Sequence, residues 1–177
     1  MTTSGYRAVL AGTLLLIGLL PGLALASERP ELAVTALDRS TGALAIAADN
    51  AAALGLSRVR MLEGDLNQLP AGPWTLVVSN PPYIPSADLA GLMDEVRNFE
   101  PPEALDGGPD GLACYRALAG QAQAVLRPGG WLLVEVGIGQ AEAVRSLFIA
   151  AGLEEAYIRD DYAGIPRVVG ARKSNLG

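Results

Sequence analysis

The clearest chemical signal in the chain is the tetrapeptide Asn80-Pro81-Pro82-Tyr83, called the NPPY motif below, which directly follows the apolar segment 74–79. An amide or exocyclic amine nitrogen is a poor nucleophile because its lone pair is delocalised into a π system. Two acceptors that take its N–H hydrogens can hold the nitrogen in line with an electrophilic methyl group and stabilise the developing positive charge. The Asn80 side-chain carbonyl and the Pro81 main-chain carbonyl suit this task. The motif therefore predicts methyl transfer to a planar, amide-like nitrogen.

The other features of the NPPY motif agree with that chemistry. The consecutive prolines Pro81 and Pro82 restrict the backbone and stiffen the direction of the Pro81 carbonyl. Tyr83 offers a flat face to a planar group. A deprotonated base is not required, because the proton can leave after transfer, and the chain contains no histidine. The alternative is a Pro-Pro turn that only ends a strand.

Two acidic residues stand at corresponding places earlier in the chain. Asp38 ends the apolar run 32–37, and its carboxylate can accept both hydroxyls of a ribose. A role as a helix cap is the alternative for Asp38. Asp65 follows the next predicted strand, where it can meet an adenine amino group. Together with Asn80, these residues occupy the carboxyl ends of predicted strands, which is where doubly wound sheets bind ligands.

The elements that must position these residues alternate along the chain. Apolar patterns predict strands over residues 32–37, 58–63, 74–79 and 131–136, and helices over residues 41–54, 111–126 and 141–151. A long polar, proline-rich stretch, 81–110, predicts a functional loop. The last two predicted strands, 154–160 and 167–171, form a hairpin. This order predicts an α/β doubly wound sheet with a C-terminal antiparallel hairpin.

Composition excludes several classes of function. The formal charge is −6 and the basic residues are scattered, which argues against direct binding to nucleic acid phosphates. Cys114 is the single cysteine, so an intrachain disulfide is not possible. With no histidine to act as a ligand, we expect no metal site.

The N-terminal segment 8–26 is almost wholly apolar, follows Arg7 and ends in the pattern Ala24-Leu25-Ala26. This is typical of a signal peptide, and the length is close to that of a membrane span. The alternative is a buried strand followed by a helix. We therefore divide the chain into an apolar N-terminal segment, 1–26, and a catalytic domain, 27–177. The absence of other export features favours the cytoplasm over a membrane.

The sequence resembles the protein-(glutamine-N5) methyltransferases that modify peptide chain release factors, over about residues 25–173. The resembling segments are 77–85 (VVSNPPYIP), 36–40 (ALDRS), 99–108 (FEPPEALDGG), 110–112 (DGL) and 161–169 (DYAGIPRVV). The tetrapeptide alone is shared with DNA adenine methyltransferases, whereas the long loop and the hairpin favour the protein-modifying branch.

The resemblance implies a class I, Rossmann-like domain that binds S-adenosylmethionine (SAM) and a release factor as protein substrate. By this resemblance Asp38 binds the ribose, Asp65 and Leu66 line the adenine site, and Asn80 touches both cofactor and substrate. The NPPY motif holds the glutamine of a Gly-Gly-Gln tripeptide. Glu100 and Pro101 shape that substrate pocket.

One segment departs from the family pattern. The family has an Asp-x-Gly-x-Gly-x-Gly turn where this chain has residues 13–19, in which only Gly18 could serve and the acidic residue is missing. The first strand and its glycine loop are therefore expected to be atypical. Three hypotheses follow: a release factor glutamine methyltransferase, a catalytically impaired remnant that is truncated, membrane-tethered or exported, and a DNA adenine methyltransferase.

Overall fold

The computed structural model describes residues 13–17, 19–93 and 101–175, with side chains from residue 23 onward. In this part of the chain the strands are β1 (Thr13–Ile17), β2 (Ala33–Asp38), β3 (Arg60–Glu63), β4 (Trp74–Ser79), β5 (Leu126–Glu135), β6 (Glu154–Asp160) and β7 (Pro166–Arg172). The helices are α1 (Leu19–Glu28), α2 (Thr41–Ala53), α3 (Pro102–Leu105), α4 (Ala113–Val125) and α5 (Ala141–Ala150), with a 3₁₀ helix at Ser86–Gly91.

The strands form one sheet in the order β3-β2-β1-β4-β5-β7-β6. The first five strands in this order pair in parallel, and β7 pairs antiparallel with both β5 and β6. A parallel sheet whose order reverses beside β1 and ends in a hairpin is the doubly wound class I methyltransferase architecture. The predicted fold is therefore confirmed.

Helices cover both faces of the sheet, as a parallel sheet requires. On one face, Tyr115 and Leu118 of α4 and Phe148 of α5 are fully buried in one apolar cluster with residues of β4, β5 and β7. On the other face, Leu23 and Ala26 of α1 join α2 and β2 in a second apolar cluster. The two clusters fix the carboxyl ends of the parallel strands at one edge of the molecule.

The N-terminal segment enters the sheet at its centre. β1 lies between β2 and β4 and pairs with both in parallel register. One residue, 18, separates the end of β1 from the start of α1. α1 extends to Glu28 and so runs through residue 26, where the sequence suggested a boundary. None of the helices in the described ranges is both long and apolar enough to cross a membrane.

Two details differ from the sequence-based prediction. The segment Arg127-Pro128-Gly129-Gly130, predicted to separate a helix from a strand, is part of β5, with a shift in its register against β4. The reason is pairing on the other side, since Gly129 and Gly130 both hydrogen-bond to the backbone of Lys173. The predicted loop 81–110 contains the 3₁₀ helix and α3 in addition to irregular chain.

Candidate functional site

A cavity of about 430 Å³ opens at the carboxyl edge of the sheet, between the segments that follow β2, β3 and β4. Parallel strands deliver their last residues to the same edge, and the order reversal beside β1 leaves a crevice there. Seven of the predicted site residues line the cavity: Asp38, Asp65, Leu66, Asn80, Pro81, Pro82 and Pro101. Residues far apart in sequence are thus brought to one site, as predicted.

Of the predicted site residues that the structure describes, Tyr83 does not line the cavity. Tyr83 is partly buried and packs against the main apolar cluster. Its use as a flat face for the substrate stays a prediction. Glu100 lies outside the described residues, within 94–100.

The carboxylate of Asp38 is fixed by the start of α2. Its Oδ1 accepts a hydrogen bond of 2.8 Å from the Ser40 main-chain N–H. Ser40 also caps α2, because its hydroxyl accepts from the Ala43 N–H at 3.1 Å. Asp38 Oδ2 has no hydrogen bond to a described residue. The strand end therefore presents, on the cavity wall, a carboxylate whose plane is oriented and whose second oxygen has no partner among the described residues.

The segment after β3 is fixed in a similar way. Asp65 Oδ1 accepts from the Asn67 main-chain and side-chain nitrogens at 2.7 and 2.8 Å. Gln121 of α4 donates to the Leu66 carbonyl at 2.9 Å and accepts from the Leu69 N–H at 2.7 Å. These contacts hold Asp65 and Leu66 side by side on the cavity wall.

The NPPY motif presents two acceptors that have no partner among the described residues. Asn80 is exposed and Pro81 is buried, and both line the cavity. Neither the Asn80 side chain nor the Pro81 carbonyl makes a hydrogen bond to another described residue. Polar groups at a cavity wall that the protein leaves unpaired are available to a ligand. The two acceptors lie on the same cavity as Asp38 and Asp65.

The cavity also contains residues that the sequence did not single out: Arg39, Ser40, Asn67, Glu103, Asp106 and Cys114. Asp106 accepts from the Ser86 hydroxyl at 2.6 Å and from the Gly108 N–H at 2.8 Å, which lowers its pKa. Burial raises the pKa of the Cys114 thiol, and the carboxylates of Asp65 and Asp106 add to this effect. Asp106 could have been found from the sequence, because it lies in segment 99–108, which resembles the methyltransferase family. Cys114 looks in the sequence like an ordinary helical residue. Among the described residues no group of three or more His, Cys, Asp or Glu side chains could hold a metal ion.

Comparison with solved structures shows the same fold. The methyltransferase from Pyrococcus furiosus matches with a TM-score of 0.68 and 16% identity, covering 93% of this chain and 76% of that one. TrmN from Thermus thermophilus matches with a TM-score of 0.63 and 23% identity, covering 93% of this chain and 44% of that one. These likenesses establish the architecture alone.

Comparison of sequences is more specific. The family described as methyltransferase small domain matches residues 17–93. A release factor glutamine methyltransferase from Geobacter sulfurreducens is 47% identical over 171 residues, which is 94% of this chain and 60% of the relative. In the part that it covers, this chain is homologous to the release factor glutamine methyltransferases. A member from Rhodospirillum rubrum is also 47% identical, over 88% of this chain and 48% of its own length.

The chain spans about half the length of the release factor glutamine methyltransferases that it matches. The shared part includes the sheet edge with its cavity, since the matches extend over most of the chain. The resemblance to these enzymes, suggested by the NPPY motif and its flanking loop, is confirmed by these relatives.

Proposed function

We propose that this chain is a SAM-dependent methyltransferase that modifies the side-chain amide nitrogen of the glutamine in the Gly-Gly-Gln motif of a peptide chain release factor. The observation that carries the proposal is a pair of acceptors, the Asn80 side chain and the Pro81 carbonyl, that have no donor among the described residues and lie on the wall of the cavity that also holds Asp38 and Asp65. Similarity to the release factor glutamine methyltransferases supports the choice of acceptor.

The described residues fit the nucleoside end of SAM. Asp38 presents a free carboxylate oxygen whose plane is set by Ser40, which suits a ribose diol. Asp65 and Leu66 offer a carboxylate and an apolar side chain on the same wall, which suits an adenine ring. The Asn80 side chain lies towards the reacting centre in this arrangement. Gly18, the one glycine in the stretch expected to face the methionine end, lies outside the described residues.

SAM supplies a methyl group on a positively charged sulfur. The Asn80 and Pro81 oxygens accept the two N–H hydrogens of the glutamine amide and orient its nitrogen for in-line attack. Positive charge develops on the amide nitrogen as it takes the methyl group that bound SAM would supply, and the two oxygens would stabilise that charge. The nitrogen then releases one proton to water. No side-chain base is required.

Calorimetry with SAM and a transfer assay test the proposal together. We expect SAM binding, and transfer of one labelled methyl group to a release factor domain that carries Gly-Gly-Gln. The matched acceptor, with that glutamine replaced by alanine, should receive none. An absence of SAM binding at millimolar concentration would favour an impaired remnant of the family. Methylation of DNA adenine with none on the protein acceptor would replace the proposal with a DNA methyltransferase.

The proposed acceptor also bears on location. Release factors act on ribosomes, so the proposal implies that the enzyme is cytoplasmic and has a protein partner. Fractionation of cells that produce the full chain should find it with the ribosomal and soluble material, and recovery in membranes would oppose this location.

A further inference from the structure

The side chain of Gln140 joins three segments beside the NPPY motif. Its Nε2 donates to the Tyr83 carbonyl at 2.9 Å and to the Gly111 carbonyl at 3.3 Å. Its Oε1 accepts from the Gly137 N–H at 3.0 Å. Each half of the amide therefore has a partner, and the partners come from the segments after β4, before α4 and after β5.

Gln140 is anchored at its own backbone. It is the residue before α5, its N–H donates to the Gly137 carbonyl at 3.1 Å, and its carbonyl accepts from Val144 at 3.0 Å. A long side chain normally loses much rotamer freedom when it bridges loops. In this case a helix start and a contact with Gly137 reduce that cost, so the amide is held ready for Tyr83.

Glycines leave the space that this contact needs. A Cβ on Gly137 would lie 2.8 Å from Gln140 Oε1 and 2.9 Å from the Tyr83 ring. A Cβ on Gly111 would collide with the Tyr83 carbonyl and lie 2.6 Å from Gln140 Nε2. Side chains are thus excluded beside both the ring and the carbonyl of Tyr83. Within the described part of the chain, Gln140 is the side chain that hydrogen-bonds the NPPY motif.

We propose that Gln140 is a positioning residue for methyl transfer, which fixes the Tyr83 carbonyl and through it the direction of the Asn80 and Pro81 acceptors. The inference rests on the proposed function. Only the two prolines lie between Asn80 and Tyr83, and their restricted φ angles limit the flexibility of the motif. A hydrogen bond to Tyr83 at one end of the motif therefore restrains Asn80 at the other end. Gln121 makes a similar bridge, but to the segment of Leu66, on the side of the cavity assigned to the cofactor. Gln140 instead bonds the NPPY motif.

A Gln140→Glu variant separates positioning from general stability. The new carboxylate keeps an acceptor for the Gly137 N–H but has no donor for the Tyr83 carbonyl, and its charge repels that oxygen. We expect kcat for methyl transfer to fall about 10- to 100-fold, because small misplacements of reacting groups cost rate on this scale. The Kd for SAM should change less than about twofold, since Gln140 does not line the cavity.

The matched control is Gln123→Glu, which makes the same chemical change on an exposed glutamine of α4. Gln123 Nε2 donates to the Gly152 carbonyl at 2.8 Å, away from the cavity lining. This variant should keep the wild-type kcat. An unchanged kcat in Gln140→Glu, or an equal fall in both variants, would overturn the proposal.

A second readout does not depend on activity. In protein labelled with ¹⁵N-asparagine, the Asn80 side-chain signal should move in Gln140→Glu and stay in place in Gln123→Glu. If the wild-type protein transfers no methyl group but the Asn80 signal still moves in Gln140→Glu, the proposed function fails. The positioning of the Asn80 and Pro81 acceptors by Gln140 then still stands. If the Asn80 signal does not move in Gln140→Glu, the positioning role is wrong.

Discussion

Asn80 and Pro81 place two hydrogen-bond acceptors at the end of a central strand, where the described protein gives them no donor. Asn80 is exposed, so water can solvate its amide in the free protein at little cost, and a ligand amide can displace that water. The neutral carbonyls bind the N–H hydrogens of an amide without removing a proton. This arrangement suits a nucleophile that is weak and already neutral.

Replacing Asn80 tests this assignment directly. In Asn80→Ala the cavity keeps its backbone, but one of the two acceptors is lost, so we expect kcat for methyl transfer to fall about 10²- to 10³-fold. The exposed Asn50→Ala on α2 serves as control and should retain wild-type kcat. A transfer rate in Asn80→Ala within threefold of wild type would contradict the proposed role.

The ribose assignment of Asp38 makes a different prediction. Asp38→Asn preserves size and one acceptor oxygen but removes the charge and replaces the free oxygen by a donor. We expect SAM to bind about 10- to 100-fold more weakly, since a hydrogen bond to a charged group contributes about 1.5–3 kcal/mol. Calorimetry of Asp38→Asn beside Asp49→Asn, an exposed change on α2, measures this. Equal affinities for both variants would rule out Asp38 as a cofactor ligand.

The ion pair of Asp110 with Arg116 contributes to the stability of the fold against acid. Arg116 and the Leu112 N–H hydrogen-bond to Asp110, with Arg116 the larger influence, and they lower the pKa of Asp110 to about 2. Because the pKa of Asp110 is lowered in the folded state, its carboxylate stabilises the fold at pH values above the ordinary carboxyl pKa of 3.8. This contribution is lost as the pH falls towards 2. The melting temperature of Asp110→Asn should therefore lie below that of the wild type at pH 6, and the two should converge near pH 2. A difference that persists at pH 2 would assign the effect to something other than the charge.

At the scale of elements, the site depends on glycines that let loops approach one another. Gly111 has φ of +72°, and no Cβ fits between it and the Tyr83 carbonyl. Gly111→Ala should destabilise the fold by about 1–3 kcal/mol and lower methyl transfer as well. Gly120→Ala, within α4 and with open space around the new Cβ, should instead stabilise by about 0.5–1 kcal/mol. Urea unfolding compares the two, and the prediction fails if both variants shift the same way.

Regular elements were predictable where the pattern is local. β4 was predicted over 74–79 and forms over Trp74–Ser79, because an apolar, β-branched run bounded by polar residues is a strong strand signal. The C-terminal hairpin was equally predictable from the sequence. The start of β5 was missed because its pairing with Lys173 is non-local. From local propensity alone, Pro128 and the two glycines that follow it predict a break between a helix and a strand.

The candidate site was predictable in part for the same reason. Residues that end strands, such as Asp38 and Asn80, can be placed at one edge from strand order alone. Gln140 carries no such signal, since an isolated glutamine before a helix looks like any polar residue. Its contact with Tyr83 spans 57 positions and exists only after three loops have folded together.

For the whole molecule, the decisive feature is the central position of β1. A strand paired on both sides cannot be removed without leaving two unpaired strand edges within the sheet. The structure places residues 13–17 in the sheet and residues 19–28 in the helix that covers it, whereas cleavage after Ala26 would remove β1 and most of α1.

Deletion of residues 1–26 therefore tests the domain division. We expect the shortened chain to aggregate or to unfold without a cooperative transition, because β1 and most of α1 are lost. Thermal unfolding followed by circular dichroism, with the full chain as reference, measures this. A shortened chain that melts cooperatively and binds SAM would show that residues 27–177 form a domain by themselves.

The single thiol of the chain gives the cavity a built-in spectroscopic reporter. Cys114 lies on the cavity wall and is partly exposed, so a maleimide dye attached to it would sense occupancy without any substitution. Its raised pKa lowers the fraction of reactive thiolate, so alkylation needs a more alkaline pH than for an ordinary cysteine, but the chain has no other thiol to compete. Slower labelling in the presence of a nucleoside would then report on the cavity, and fluorescence of the labelled protein could screen compounds for entry into it.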